Sequence, residues 1–117
     1  MTVIMAAYVS NIVVDVGANF DQSFNLENNA NAPLDLTGFT GAAKLKKSAA
    51  SLTTAADFVV SFPNATEGQL KISLGSSITS GLKPGRYVYD VLLTDASSLK
   101  TRVVEGSAIV TAGVTTG

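Results

Sequence analysis

Side chains that commonly carry out chemistry are scarce in this sequence, which contains neither histidine nor cysteine. Histidine is the commonest general base and metal ligand, and cysteine supplies the thiolates of many zinc and iron sites. The nine acidic residues are spread along the chain, without the short spacing that a calcium-binding loop requires. No glycine-rich phosphate loop or nucleophile motif is present. The sequence therefore predicts a protein that is not an enzyme, with no catalytic residues, no metal site and no cofactor.

The charged residues near the carboxyl end have a structural interpretation. Asp95 opens a run of small polar residues that is typical of a hairpin turn. In a tight hairpin, Arg102 and Glu105 would lie opposite Asp90 and Arg86. We expect cross-strand ion pairs there, worth about a few tenths of a kcal/mol each.

Two tyrosines at a spacing of two, Tyr87 and Tyr89, suggest a ligand site because sugar-binding proteins use aromatic faces. The other interpretation is that both rings fill the edge of a core while their hydroxyl groups reach a polar partner. The sequence favours this second interpretation and leaves a carbohydrate-binding module for host attachment as an alternative function.

Composition limits the partners of this chain. Its 117 residues carry a net charge of −1 without any long basic run, so neither nucleic acid nor an anionic membrane is an expected partner. The sequence contains no stretch of about 18 apolar residues, which is the length that a membrane span needs.

The chain is poor in charged residues. They make up only 15% of it, against about 25% in typical soluble domains, and the mean hydropathy is +0.32. This balance predicts a surface that another protein covers; a slightly apolar monomer is the alternative.

Short segments with alternating or β-branched apolar residues, separated by turn residues, predict the secondary structure. They cover residues 9–16, 20–26, 40–47, 56–62, 69–74, 86–94 and 99–111, with a strong turn at 63–68, one helical turn within 75–81 and a bulge or crossing point at Gly106. The pattern predicts an all-β fold, an antiparallel Ig-like β-sandwich of about seven to eight strands. Alternation alone does not distinguish a sandwich from a small barrel.

The sequence indicates one domain with two short extensions. Residues 9–111 form the predicted sandwich, residues 1–8 an apolar N-terminal arm, and residues 112–117 a flexible tail. Within the arm, the predicted protein-interface residues are Val3, Ile4, Met5 and Tyr8, which could bind a neighbour by strand addition and side-chain burial.

Four stretches carry a resemblance to a known group of proteins, together with Phe24 and Leu26. They are SNIVVDVGANF (10–20), PLDLTGF (33–39), LKPGRYVYDV (82–91) and RVVEG (102–106). The chain resembles small β-sandwich virion structural proteins of tailed bacteriophages, those of cyanobacterial phages above all. It is more loosely similar to the N-terminal domain of baseplate upper and long-tail-fibre proteins, although no fibre shaft or receptor-binding head follows in this sequence.

The resemblance implies a location in the virion and a function in assembly. Its partners would be other virion structural proteins, bound as a homo-oligomer or on a lattice. The leading expectation is a tail or baseplate adaptor that binds neighbouring subunits or fibres, and the alternative is a capsid cement or decoration protein.

Overall fold

A computed structural model describes residues 8–27 and 32–113. Over these residues the chain forms eight β-strands and one helical turn, α1, at Ser76–Thr79. A short 3₁₀ turn at Ala65–Glu67 precedes the sixth strand. The strands are β1 (Tyr8–Val9), β2 (Ile12–Asp15), β3 (Phe20–Asn25), β4 (Thr40–Lys46), β5 (Ala56–Asn64), β6 (Gln69–Leu74), β7 (Gly85–Thr94) and β8 (Lys100–Thr111).

Hydrogen-bonded pairing connects the strands in the order β1-β8-β7-β4-β5-β6-β3, and β2 lies beside β8 next to β1. The fold is mostly β, as the sequence predicts. The pairs along this order are antiparallel except at one end, where β1 and β2 run parallel to β8. The expectation of a purely antiparallel arrangement is therefore wrong at this edge. No hairpin joins β2 to β8, so chain connectivity does not force these two strands to be antiparallel.

Strand β5 belongs to two groups of strands. Its first residues pair with β4, where Phe58 lies opposite Ala43, and its later residues pair with β6, where Val60 lies opposite Ile72. The Phe58 ring also contacts rings from both groups, since its centroid is 5.9 Å from that of Phe20 and 6.0 Å from that of Tyr89. One hydrophobic core therefore joins all of the longer strands.

Strand β7 shows why the alternating pattern predicted the core. Four alternate side chains are buried in it, and the three between them are only half-buried. The buried set is Tyr87, Tyr89, Val91 and Leu93. The predicted inward residues of β4 and β6 are buried as well, since successive side chains of a strand point to opposite faces.

Two predicted boundaries require correction. The predicted first strand, 9–16, is two strands, because the chain leaves the ladder at Asn11 and the Asn11 side chain accepts hydrogen bonds from the amide and hydroxyl groups of Ser107. The predicted turn at 63–68 begins later, since β5 continues to Asn64 and only then enters the 3₁₀ turn. Pro63 is tolerated because the pairing register shifts between Ser61 and Asn64.

Gly106 is a crossing point and not a bulge. The register of β7 and β8 shifts between the pairs Val91–Val104 and Leu92–Arg102, so the extra residue is Val103. At Gly106 the backbone of the segment between β1 and β2 lies against β8, and any Cβ would meet the carbonyl group of Ser10. A glycine is therefore needed here for the close approach of two backbones.

Candidate protein-binding surface

Three exposed apolar side chains lie at the β2 end of the sheet. Val13 of β2 is beside Ile109 of β8 in the parallel register, and Val9 of β1 is beside Glu105. Val9, Val13 and Ile109 are 66%, 58% and 38% exposed. We call these three residues the edge strip. Val13 and Ile109 are contiguous, and contiguous exposed apolar residues mark a surface that another protein covers more often than isolated ones do.

The backbone of β2 is open along the side that faces away from β8, because within residues 8–27 and 32–113 it pairs with β8 alone. The amides of Ser10 and Val16 donate to the β8 carbonyls of Glu105 and Thr111, at 2.9 Å each. Backbone groups alternate along a strand, so the intervening amide of Val13 points away from β8. An open strand edge of this kind is a template for pairing with another chain.

Side-chain hydrogen bonds hold this edge in place. The Asn11 carboxamide oxygen accepts from the amide and hydroxyl of Ser107 at 3.0 Å each. The hydroxyl group of Thr111 donates to the Asp15 carboxylate at the other end of β2. The edge strip is therefore presented on a fixed strand, which lowers the entropy that binding would cost.

Of the four interface residues that the sequence predicts, the structure describes only Tyr8. Val3, Ile4 and Met5 are outside the described residues. Tyr8 belongs to β1, where its backbone pairs with Val104, so this residue is part of the sheet as well as of the predicted arm.

The sequence did not single out the edge strip. Residues 12–14 are all β-branched, so an apolar residue is found on both faces of β2 and the pattern does not show which face is outside. Val13 and Ile109 become neighbours only through the parallel pairing of β2 with β8, which a local sequence pattern does not predict.

The structure does not support a sugar site on Tyr87 and Tyr89, because their exposed fractions are only 3% and 4%. The Tyr87 hydroxyl donates to the carbonyl of Lys83 at 2.7 Å, and the Tyr89 hydroxyl donates to the carbonyl of Ser10. The Lys47 ammonium lies 4.5 Å from the centroid of the Tyr87 ring. Neither ring has a free face for a sugar, and the core interpretation of this pair is confirmed.

The outer face of β4, β7 and β8 carries a charged cluster, over an open depression of about 580 Å³. Arg102 donates to the Asp90 carboxylate at 3.1 Å, which confirms one predicted cross-strand ion pair. Glu105 lies directly opposite Asp90, but Arg86 lies opposite Ile109 and is outside this group. Lys44 forms a second ion pair with Asp57 at 2.7 Å. All of these side chains are on an open surface, so the cluster has the character of a solvated charged face.

Asp95 is a turn residue as predicted, because its carboxylate accepts from the amides of Ser97 and Leu99. Over the described ranges, no group of three or more His, Cys, Asp or Glu side chains could hold a metal ion. Over those same ranges, no helix is both long and apolar enough to cross a membrane.

Comparisons with known proteins support the fold. No family model and no curated protein matches the sequence. A chain in the crystal structure of ICOS in complex with ICOS-L and an anti-ICOS-L VNAR domain superimposes with a TM-score of 0.51 at 12% identity, over 89% of this chain and 55% of that one. The chain thus spans about half of that neighbour, and the likeness shows a β-rich, Ig-like fold.

Two further solved structures have lower scores. They are the internalin-like protein lmo2027 of Listeria monocytogenes, with a TM-score of 0.42 at 14% identity over 92% of this chain and 28% of that one, and a family 123 glycoside hydrolase from Clostridium perfringens, with a TM-score of 0.40 at 14% identity over 91% and 23%.

Proposed function

We propose that the protein is a non-enzymatic structural subunit of a tailed-bacteriophage virion, a tail or baseplate adaptor that binds neighbouring subunits or fibres. The observation that carries the binding function is the edge strip on an open strand, where Val13 and Ile109 are exposed side by side. The virion assignment is supported by the sequence resemblance over residues 9–111. The chain's low share of charged residues, 15%, agrees with a surface that is covered in an assembly.

The scaffold of this subunit is, in our proposal, a two-layer Ig-like sandwich. One layer would contain β3, β6 and the later part of β5, and the other β4, β7 and β8 with β1 and β2 at its edge. The bond from the Tyr87 hydroxyl to the carbonyl of Lys83 supports this arrangement. A tyrosine at the start of the corresponding strand, bonded to the backbone a few residues upstream, is a hallmark of Ig domains.

Binding would combine backbone pairing with burial of the edge strip. A partner strand beside β2 gains hydrogen bonds from the open backbone of Val13, while Val13 and Ile109 lose contact with water. The apolar residues Val3, Ile4 and Met5, which lead into β1, would add contact area on the same neighbour. Each contact is small, but repetition in a virion multiplies weak contacts through avidity.

The test is a binding assay of the full chain on purified phage tails and, separately, on purified capsids. We expect binding to tails that weakens when Val13→Lys places a charge in the edge strip. Val59→Lys is the matched control, because Val59 is a strand valine with 63% exposure outside this edge. Binding to capsids alone would support a decoration protein instead, and binding to neither would overturn the proposal.

Removal of residues 1–7 tests the predicted arm separately. We expect the truncated chain to fold, because the core described above lies in later residues, and to bind tails more weakly. Equal binding of the truncated and full chains would show that Val3, Ile4 and Met5 are not interface residues.

A further inference from the structure

We propose that β2 pairs in antiparallel fashion with β2 of a second copy of this chain, about a two-fold axis at Val13. The two copies would then share one continuous sheet. This inference rests on the edge strip being a binding surface, as proposed above, and it names the partner at that surface. It does not depend on the virion assignment.

The backbone of β2 is oriented for this pairing. The amides of Ser10 and Val16 donate to β8, so the amide and carbonyl of Val13 point to the open side, as does the amide of Asp15. In a pair centred on Val13, each Val13 amide donates to the Val13 carbonyl of the other copy. Each Asp15 amide can likewise donate to the carbonyl of Asn11 in the other copy.

The side chains favour the register centred on Val13 over registers that are shifted along the strand. Residues that face each other in an antiparallel pair lie on the same face of the sheet. Centring on Val13 places valine opposite valine and Asp15 opposite the neutral Asn11. A shift that brings the two Asp15 residues together would place like charges opposite each other, which is destabilising. Shifts that place Val13 opposite Asp15 or Asn11 leave its apolar surface beside a polar group.

The same register extends the edge strip across the axis. Since Ile109 lies beside Val13 in each copy, the dimer would contain one row of four exposed apolar residues in the order Ile109, Val13, Val13, Ile109. Contact between the two Val13 side chains at the centre of this row adds to the backbone hydrogen bonds, and symmetric pairing of one patch with itself is the usual geometry of a homodimer.

The other terminal strand of the sheet explains why β2 is the pairing edge. On β3 the three successive residues Asp21, Gln22 and Ser23 are polar and exposed, and charged or polar residues discourage pairing. Strand β2 contains no lysine or proline, and Val13 at its centre is exposed. Strand β2 has only one charged residue, Asp15 at its end, so of these two terminal strands it is the less protected one.

The first test is the molar mass of the full chain by light scattering and sedimentation over a wide range of concentrations. We expect a concentration-dependent dimer whose dissociation constant rises roughly tenfold or more in Val13→Lys, because two like charges would meet at the axis. Val59→Lys, with the same change of charge, should leave the dimer unchanged. A wild-type chain that stays monomeric, or a Val13→Lys dimer of unchanged strength, would overturn the inference.

Cysteine cross-linking tests the register, since the native chain has no cysteine. Across a hydrogen-bonded antiparallel pair the Cα atoms are about 5.5 Å apart, which is within the disulfide range of about 4.4–6.8 Å. We expect Val13→Cys to form a disulfide-linked dimer on mild oxidation. The control variants Asn11→Cys and Val59→Cys should form little of this cross-linked dimer. Equal cross-linking at all three positions would overturn the register centred on Val13.

The two proposals fail in different ways. If the chain is monomeric and Val13→Lys still abolishes binding to tails, the edge strip binds a different protein, so the second copy is wrong and the proposed function stands. If the chain dimerises through Val13 but binds neither tails nor capsids, the self-pairing stands and the virion assignment is wrong.

Discussion

The hydroxyl group of Tyr89, on the central strand β7, donates a hydrogen bond to the carbonyl group of Ser10, between β1 and β2. This bond connects the core to the segment that positions the edge strip. Tyr87, two residues earlier on the same face, donates to Lys83 within its own neighbourhood of the chain. The two tyrosines therefore support different parts of the fold, although the sequence presents them as an equivalent pair.

Removing these hydroxyl groups one at a time should have different local consequences. We expect Tyr89→Phe and Tyr87→Phe each to lower the free energy of unfolding by about 0.5–1.5 kcal/mol, the usual contribution of one hydrogen bond. Only Tyr89→Phe should also accelerate amide hydrogen exchange in β2, because only this hydroxyl bonds to the segment before β2. Urea unfolding measures the first effect and residue-resolved exchange the second. Faster exchange in β2 of Tyr87→Phe alone would contradict this assignment.

Gly106 should tolerate no side chain. An added Cβ would meet the carbonyl oxygen and carbon of Ser10, which are backbone atoms, so relief requires movement of the β1–β2 segment. We expect Gly106→Ala to reduce the free energy of unfolding by about 1–3 kcal/mol, the usual cost of overpacking. In Gly75→Ala, the matched control, no atom lies within 4 Å of the new methyl group, and the change should stay within about 0.5 kcal/mol. Equal unfolding curves for both variants would contradict the predicted clash.

Much of the fold could be predicted from local patterns. Strand β6 was predicted with both of its boundaries, because Leu70, Ile72 and Leu74 alternate with polar residues between turn signals. The hairpin around Asp95 followed from the hydrogen bonds that a short acidic side chain makes to nearby amides. These features depend on residues close together in the sequence.

The edge could not be predicted in the same way, because it depends on contacts between distant parts of the chain. The parallel pairing of β2 with β8 joins residues 96 positions apart, as in the bond between Asn11 and Ser107. A β-branched run such as residues 12–14 does not show which strand it will pair with or in which direction. The bulge at Val103 was missed for a related reason, since two consecutive valines fit any extended strand.

Two acidic residues on the charged face, Asp90 and Glu105, lower the stability that this face could have. Glu105 lies directly opposite Asp90, and like charges in this position are destabilising. We expect Glu105→Lys to raise the free energy of unfolding by about 0.2–1 kcal/mol, because it replaces repulsion with a cross-strand pair. The gain should shrink at high salt, which screens exposed charges. The neutral control Glu105→Gln should show part of the gain and less dependence on salt; a loss of stability in Glu105→Lys at low salt would contradict the argument.

The turn at Asp35 predicts a titration behaviour. The amide and hydroxyl groups of Thr37 donate to the Asp35 carboxylate at 2.9 and 2.6 Å, and these bonds hold the pKa of Asp35 below its ordinary value of 3.8. Because the folded-state pKa is lowered, the stabilisation is present above the unfolded value and is lost as the pH falls through the folded value. The affected window therefore lies at and below about pH 4.

Substitution of Thr37 separates the two hydrogen bonds to this carboxylate. Thr37→Val removes the hydroxyl donor, the larger influence, and keeps the amide donor, so the pKa of Asp35 should rise toward 3.8 without reaching it. Thr37→Ser keeps a hydroxyl group and should leave the pKa of Asp35 low. An NMR titration of the Asp35 carboxyl carbon in the three proteins measures these differences directly. An Asp35 pKa that is the same in Thr37→Val and the wild type would show that the hydroxyl bond does not stabilise the carboxylate.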